Sequence, residues 1–426
     1  MTERQTSSHA YPGPIAVSPD GRGFVDAQGR PFFWLGDTAW PLFAQYTRDE
    51  AEAYLDNRSR KGFTVVQGVL AWGGGTGLEE TVPGANWAGH KPWLESPAAP
   101  NPAYFENVDA LLQIAASLGL ILAMLPTWGY YVNDVQTFNT ENAFAYGRWL
   151  GARYRETPNV IWVSGGDRVP TGYESVWRAL ARGLRAGDGG AHVITYHPCG
   201  WQSSSYFFHG EDWLDFNMIE TWTDWPMIYP AVAADAALTP RKPVVLGEPA
   251  YENGPEYPLG PITPLIVRRQ AWWAFMAGGF FTYGQDQMWR MEPSWASTFD
   301  TPGAGQMTVF KSIVTAQKWW ELFPNQGLLA AGVGNERTLN AACRSADGAR
   351  GMIYLSSPCH ALVKLDRIAT RNVKVTWVNP ADGEERDAGT FATGNRTGKS
   401  WPESTARWFS VPGYWEDAVL ILEGME

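Results

Sequence analysis

Eight short apolar runs, separated mostly by helical segments, are the feature that most constrains the fold of this chain. Each run is too short for helical periodicity and ends at glycine or at polar residues, which is typical of a buried parallel strand. The predicted strands cover residues 31–35, 63–66, 120–125, a run that starts at Val160, 192–197, 215–219, 244–246 and 280–283. Eight such strands over about 31–324 predict an α/β fold of the (β/α)8 TIM barrel type.

Helix signals lie between these runs. Thr47 and Glu50 form a capping box that starts one helix, and Gly62 ends it. Apolar side chains at helical spacing predict further helices around 105–115, 143–154, 176–184 and 262–277, and a last barrel helix over 306–322. A long loop rich in Gly and Trp follows the second strand, up to about Pro102.

The two ends of the chain differ from the barrel in character. Residues 1–30 are rich in Gly, Pro and Ser and predict a lead-in segment, with a hairpin turn at 26–29, that packs on the barrel or on the C-terminal domain. After Gly327 the chain has short β-rich runs at 352–355, 373–378, 408–411 and 418–422, typical of a β-sandwich. We therefore expect a barrel over 31–327 and a sandwich over 328–426, packed firmly together because no flexible linker separates them.

Two carboxylates stand just past buried strands. Asp167 follows Gly165-Gly166 after the fourth run, and Glu248 follows Gly247 after the seventh. Each alone could be a turn residue or a helix cap. Together they would face the C-terminal mouth of the barrel, where TIM-barrel chemistry takes place, and glycoside hydrolysis needs such a pair of carboxylates.

Charge and motifs exclude several other classes. The net charge of −11 provides no basic stripe for nucleic acid, and no apolar run is long enough for a membrane helix. No phosphate-binding loop, GxSxG elbow or metal-ligand spacing is present, so no metal and no cofactor are expected. The polar N-terminus lacks a secretory signal, and three cysteines without a CxxC pair suit a reducing compartment, so a cytoplasmic location is expected.

Four segments resemble the apiosidase-like glycoside hydrolases: Phe33-Trp-Leu-Gly-Asp-Thr-Ala-Trp40, Asn159-Val-Ile-Trp-Val-Ser-Gly-Gly-Asp167, Leu246-Gly-Glu-Pro-Ala-Tyr-Glu252 and Gly278-Gly-Phe-Phe-Thr-Tyr-Gly284. The tail resembles the family's C-terminal sandwich. The resemblance implies a retaining exo-enzyme that removes a terminal sugar, with D-apiose from plant pectin as the named case. It also implies that Asp167 is the acid/base and Glu248 the nucleophile. Most related barrels have Asn-Glu where this chain has Gly166-Asp167, a change that favours a small or furanose ring.

Polar and aromatic residues after the other strands are candidates for sugar binding, and 23 Trp and 17 Tyr supply many rings that could stack on sugars. The predicted binding residues are Asp37, Trp40, Gln67, Trp128, His197, Glu220, Trp222, Tyr251, Gln285 and Trp289. Asp37 could instead cap the turn before Trp40, and His197 could be a barrel-rim histidine. Glu220 could raise the pKa of Asp167 by its like charge or could orient His197 or Tyr196. A different furanosidase, such as an arabinofuranosidase, and a non-catalytic glycan-binding barrel are the alternative functions.

Overall fold

The computed structural model describes residues 13–73, 82–256, 260–394 and 405–426. Its centre is a parallel barrel sheet, and a smaller β-rich domain follows it, so the predicted α/β fold of TIM barrel plus β-sandwich is confirmed. The barrel strands and the short strand pairs near them are β4 Leu35–Thr38, β5 Val65–Val69, β6 Ile121–Leu125, β7 Val160–Gly165, β8 Ile194–His197, β9 Gln202–Ser203, β10 Asn217–Glu220, β11 Val244–Glu248, β12 Pro255–Glu256, β13 Gly260–Pro261 and β14 Phe280–Tyr283. Before them lie β1 Ala16–Val17, β2 Phe24–Val25 and β3 Pro31–Phe32.

The barrel strands are hydrogen-bonded in the order β8-β7-β6-β5-β4-β14-β11-β10, each parallel to the next, with β9 antiparallel at the β10 edge. Contacts between β8 and the chain entering β10 bring the two ends of the sheet together. The amide of Asp215 donates to the carbonyl of Ile194 at 2.8 Å, and the hydroxyl of Thr195 donates to the carbonyl of Phe216 at 2.6 Å. The carboxyl ends of the eight strands therefore surround one mouth.

Helices cover the outside of the barrel, and their apolar faces are buried against it. The α-helices are α1 Arg48–Arg60, α2 Pro102–Ser117, α3 Gly129–Asn133, α4 Thr140–Tyr154, α5 Glu174–Asp188, α6 Ser205–Phe208, α7 Ile228–Ala236, α8 Pro264–Met276, α9 Asp286–Trp289 and α10 Pro302–Ala316. Short 3-10 helices lie at Trp225–Met227, Trp295–Asp300, Trp319–Glu321, Gln326–Leu328, Glu336–Thr338 and Leu365–Arg367. The capping box of Thr47 and Glu50 is present, as predicted. The last barrel helix was placed wrongly at 306–322, since α10 begins at Pro302 and ends at Ala316.

The first barrel strand lies further along the chain than the sequence predicted. Pro31 and Phe32 pair antiparallel with β2 in the predicted lead-in hairpin, and the barrel strand is Leu35–Thr38. The predicted run is thus divided between β3 and β4. Asp37 lies inside β4, where its neighbours on the adjacent strands are Val66 and Tyr283. A carboxylate is tolerated at this position because Arg58 pairs with it; both side chains are fully buried.

The C-terminal domain is a two-sheet sandwich. Its strands are β15 Leu322–Pro324, β16 Leu329–Ala331, β17 Ala341–Ser345, β18 Arg350–Leu355, β19 His360–Lys364, β20 Asn372–Val378, β21 Glu385–Ala392, β22 Ala406–Ser410 and β23 Ala418–Met425. One sheet has the order β15-β17-β18-β23-β20-β21 and the other β16-β19-β22, with an apolar core between them.

Contacts between barrel and sandwich are extensive and partly buried. Arg268 on α8 donates to both oxygens of Asp417 at 2.8 to 2.9 Å, and Tyr354 donates to the same carboxylate at 2.8 Å. The rings of Trp272 and Tyr354 stack with centroids 5.5 Å apart. The division of the chain at residues 30 and 327 stays a prediction. Residues 1–12, and residues 74–81 of the predicted Gly/Trp-rich loop, lie outside the described part. Among the helices that are described, none combines the length and the apolar character needed to cross a membrane.

Candidate active site

A cavity of about 420 Å³ opens at the carboxyl ends of the barrel strands. Its volume falls in the range of about 300–1,000 Å³ that is usual for small-molecule sites. The cavity is lined by Trp40, Trp72, Trp128, Asp167, Cys199, Gly200, Trp201, Glu220, Trp222, Thr223, Glu248, Ala250, Tyr251, Gly254, Pro255, Asp286, Trp289 and Arg290. Four carboxylates, one guanidinium and a majority of aromatic and small residues thus face the same space.

Two glycines turn the chain so that Asp167 reaches this cavity. Gly165 and Gly166 have φ angles of 92° and 118°, and Asp167 itself has φ 48°. A Cβ on Gly165 would lie 2.2 Å from the carbonyl oxygen of His197, and one on Gly166 would lie 2.5 Å from the ring of Trp128. Only glycine fits both positions, so the Gly-Gly-Asp sequence is a consequence of this tight turn above β7.

Glu248 is the last residue of β11 and is contacted on both oxygens. The hydroxyl of Tyr251 donates to Oε1 at 2.7 Å and itself accepts from the indole N–H of Trp40 at 3.1 Å. Nε2 of His197 lies 3.1 Å from Oε2. Gly284 leaves room for the Tyr251 ring, because a Cβ there would lie 2.3 Å from it. The side chain of Glu248 is therefore fixed in position before any substrate enters.

The protonation state of His197 follows from its two contacts. Nδ1 lies 2.9 Å from the carbonyl oxygen of Pro198, which can only accept, so Nδ1 carries a hydrogen. Burial lowers the pKa of His197, but the contact with Glu248 and the charges of Glu248 and Asp167 outweigh burial and raise it overall. A proton on Nε2 then gives an imidazolium paired with Glu248.

Asp167, His197, Glu220 and Glu248 form one cluster. One carboxylate oxygen from each acid and one ring nitrogen of the histidine all lie within 4.8 Å of one another. Burial is the largest cause that raises the pKa of Asp167, to about 7, and the charge of Glu248 adds to it. Burial, followed by the charges of Asp167 and Glu248, raises the pKa of Glu220 well above its usual value. These distances are short enough for a cation, but His197 already lies 3.1 Å from Glu248 and supplies a positive charge there when it is protonated. The cluster is suited to moving protons.

Aromatic rings form the walls of the cavity. Trp40 and Trp72 pack edge-on against Trp128 with centroids 5.0 and 5.5 Å apart, and all three are almost fully buried. At the mouth, Trp201 and Trp222 pack edge to face at 5.3 Å, yet 58% and 48% of their surfaces stay exposed. Large exposed rings beside a pocket are ready contact surfaces for a ligand.

Of the predicted binding residues, six besides the acid pair reach the cavity or its cluster directly: Trp40, Trp128, Glu220, Trp222, Tyr251 and Trp289 line it. His197 lies behind them and contacts Glu248. Three predictions were wrong. Asp37 is buried in its pair with Arg58 and accepts hydrogen bonds from Tyr54 and Thr38, so no oxygen is left for a sugar.

Gln67 and Gln285 are the other two corrections, and both are fully buried. The amide of Gln67 donates to Thr38 and to the carbonyl of Gly247, so it fixes the end of β11 from behind. Gln285 caps α9 by accepting from the amide of Met288 at 2.7 Å. Gln67 lies inside β5 and Gln285 follows β14, and the side chain of each is buried in the protein and does not line the cavity.

Sequence reasoning missed several lining residues, among them Trp72, Trp201, Asp286 and Arg290. Trp201 follows β8 by four residues, the same kind of position that predicted Trp222 after β10. Asp286 directly follows the wrongly chosen Gln285. Arg290 pairs with Asp286 at 3.2 Å and packs over the ring of Trp289 at 4.3 Å. Closeness to a strand end would have identified Trp201 and Asp286 from the sequence. The position of Arg290 depends on the short helix α9, which the sequence did not predict.

Comparison with known families decides what this barrel is. Residues 18–321 match the family model described as "Apiosidase-like, catalytic domain", and residues 323–423 match "Putative collagen-binding domain of a collagenase". The chain belongs to the apiosidase-like family. This apiosidase-like protein has no match among curated proteins.

Solved structures agree with the family match. A crystal structure of a glycoside hydrolase family 5 protein from Bacteroides vulgatus ATCC 8482 is 27% identical, with a TM-score of 0.86 over 97% of this chain and 94% of that one. A second structure, described only as a glycoside hydrolase, is 27% identical, with a TM-score of 0.85 over 97% of each chain. A β-L-arabinopyranosidase from Geobacillus stearothermophilus, 11% identical with a TM-score of 0.56 over 92% of this chain and 97% of that one, shares the fold. The apiosidase-like protein is thus a glycoside hydrolase, and its substrate is a carbohydrate.

Proposed function

We propose that this apiosidase-like protein is a retaining, exo-acting glycoside hydrolase that removes a terminal furanose, such as D-apiose, from a plant-derived glycan or glycoside. Asp167 is the acid/base and Glu248 is the nucleophile. The single observation that carries the proposal is the approach of their carboxylate oxygens to within 4.8 Å across one cavity. Retaining enzymes need about 5–5.5 Å between the two carboxyl groups, and inverting enzymes need roughly 6.5–9.5 Å.

The different surroundings of the two acids support their different roles. Glu248 has a hydroxyl donor on one oxygen and the His197 imidazole on the other, which suits a carboxylate that attacks carbon. The pKa of Asp167 is about 7 because burial and the Glu248 charge disfavour its ionised form, which suits a general acid near neutral pH. In glycoside hydrolases with two catalytic carboxyl groups, a difference in environment of this kind lets one group act as the acid and the other act as a carboxylate.

The reaction then has two steps. In the first, Glu248 attacks the anomeric carbon while Asp167 gives its proton to the glycosidic oxygen, and the leaving group departs. In the second, Asp167 takes a proton from water, the water oxygen bonds to the anomeric carbon, and the bond to Glu248 breaks. Two displacements on opposite faces return the original configuration.

The pocket supports an exo-acting enzyme for a small sugar. Trp40, Trp128 and Tyr251 surround the acid pair closely, and a ring the size of a furanose can bind between them. The short Asp167 after Gly166 replaces the Asn-Glu pair usual in related barrels. Trp201, Trp222 and Trp289 extend outward from the pair and offer stacking surfaces for the aglycone or the next sugar.

A panel of p-nitrophenyl furanosides and pyranosides tests the proposal. We expect the highest rate on a furanoside and a first product whose anomeric configuration, read by NMR, equals that of the substrate. Glu248→Gln should be inactive on every member, whereas Glu52→Gln, at an exposed position on α1, should match the wild type. If the protein prefers an arabinofuranoside to an apioside, the result supports the alternative that it is an arabinofuranosidase. A folded protein that cleaves nothing but binds sugars would overturn the proposal in favour of a glycan-binding barrel.

A further inference from the structure

Glu220, the last residue of β10, has one carboxyl oxygen, Oε2, that accepts no hydrogen bond from the part of the chain that the structure describes. Only 4% of the residue is exposed, and one of its carboxyl oxygens lies within 4.8 Å of a carboxyl oxygen of Asp167. Oε2 of Glu220 and Oδ1 of Asp167 are both buried, and no N–H or O–H group of the described residues donates to either. Ionised carboxylates only accept hydrogen bonds, so a hydrogen bond between the two carboxyl groups requires a proton on one of them.

The charged and titratable neighbours of Glu220 provide no cation that would neutralise an ionised Glu220 carboxylate. Asp167 and Glu248 are acidic, and the thiol of Cys199 adds no positive charge. His197 has its Nδ1 3.9 Å from Oε2 of Glu220, but the Nδ1 hydrogen is directed to Pro198 and Nε2 faces Glu248.

Two arginines lie near the cluster: Arg290 lines the cavity but pairs with Asp286 at 3.2 Å, and Arg168 lies on the side of Asp167. Its guanidinium donates to Asp134 at 2.6 Å and to the backbone carbonyl of Asp167 at 2.9 Å. Burial together with two acidic neighbours makes the neutral form of Glu220 the favoured one, by the same physical effect that keeps a buried carboxylic acid protonated at neutral pH in other enzymes.

We propose that Glu220 is a positioning residue that stays protonated through the whole reaction and donates its hydroxyl hydrogen to Asp167. This inference rests on the proposed roles of Asp167 and Glu248. Glu220 does not touch the reacting carbon in this role; it acts through Asp167 by fixing the carboxyl group above the turn at Gly166 and by stabilising its ionised form.

The proton count is consistent with this role. At the start, Asp167 and Glu220 carry one proton each. Asp167 gives its proton to the glycosidic oxygen as that bond breaks and an oxygen of Glu248 bonds to the anomeric carbon. The resulting Asp167 carboxylate accepts the Glu220 hydroxyl. Water then returns a proton to Asp167 as its oxygen replaces Glu248 on the carbon, and the Glu220 hydrogen has not moved.

The pH profile of kcat/KM with an activated aryl glycoside tests the charge of Glu220. Glu220→Gln replaces one neutral donor by another, so the alkaline limb should stay within about 0.3 pH units of its wild-type position. If Glu220 were ionised, the same variant would remove a negative charge beside Asp167, and the limb would move down by about one pH unit or more. That shift would overturn the proposal. Glu220→Ala, which removes the donor, should lower kcat/KM about tenfold or more below Glu220→Gln on a poor leaving group; equal losses would also contradict it.

Infrared spectroscopy provides a readout that needs no variant and no turnover. Wild-type protein labelled with ¹³C-glutamate should show the carbonyl band of a protonated glutamic acid at about pH 8, where a glutamate of ordinary pKa is ionised. Absence of the band would overturn the proposal. Asp167→Asn separates this test from that of the proposed function: it should remove the alkaline limb on the activated substrate. A limb that survives in Asp167→Asn would disprove the role of Asp167, while the infrared band would still decide the state of Glu220.

Discussion

Nε2 of His197 lies 3.1 Å from Oε2 of Glu248, at the point where β8 and β11 open into the same cavity. Because Nδ1 already donates to Pro198, the contact with Glu248 depends on a second proton on the ring. The imidazolium balances one negative charge in a cluster that holds three acids. His197 thus supplies the positive charge within this cluster.

Replacement of His197 by Phe should impair formation of the glycosyl-enzyme, because Glu248 would lose the cation that fixes its attacking oxygen. We expect kcat/KM on aryl glycosides to fall by roughly 10²-fold, the scale of one lost charge-stabilising donor. His90→Ala, at an exposed position, is the control and should leave the rate unchanged. Wild-type kcat/KM in His197→Phe would show that Glu248 is held by Tyr251 alone.

Asp167→Asn should make the protein more stable at high pH although it loses activity. The pKa of Asp167 is 3.8 in an unfolded chain and about 7 in the fold. Between these values the folded protein holds a proton that the unfolded chain has released, so stability is lost as pH rises through this window. The variant should match the wild-type Tm at about pH 4 and exceed it by a few degrees at about pH 8. Asp56→Asn, on an exposed pair with Arg60, should show no such pH-dependent gain.

Arg58→Leu should unfold far more easily than the wild type, because it leaves Asp37 buried without its cation. Removing one partner of a buried ion pair typically costs about 3–5 kcal/mol. Urea unfolding measures the loss, and Arg60→Ala, which breaks the exposed pair with Asp56, should cost well under about 1 kcal/mol. If Asp37→Asn left stability intact but raised KM strongly, the assignment of Asp37 to the core would be wrong.

The outcome for Asp37 illustrates what the sequence could and could not reveal. Short apolar runs and their glycine ends predicted the barrel and placed Asp167 and Glu248 at the mouth, because strand ends are local features. Whether a polar residue after a run points inward or outward depends on one residue of register and on partners far along the chain. Asp37 has such a distant partner in Arg58, and Gln67 has one in the carbonyl of Gly247. The sequence around residues 37 and 67 gives no indication of either contact.

Loss of the sandwich should destabilise the barrel. A protein that ends at residue 327 would expose Trp272 and Trp273, which are fully buried in the whole chain, and would leave Arg268 without Asp417. We expect it to be insoluble or to melt at a much lower temperature. In the full chain, Arg268→Ala should lower the Tm more than Arg386→Ala, whose pair with Glu384 is partly exposed. A soluble, active barrel with an unchanged Tm would show that the sandwich is a separable module.

The configuration of the glycosyl azide formed by two alanine variants tests the central claim most directly. Asp167→Ala should still form the glycosyl-enzyme from an activated aryl glycoside, and azide should then attack it in the space left by the carboxylate. That route predicts a glycosyl azide of retained configuration. In Glu248→Ala, azide should take the place of the nucleophile and give the inverted product. The opposite pair of configurations, read by NMR, would contradict the assignment of Asp167 as acid/base and Glu248 as nucleophile.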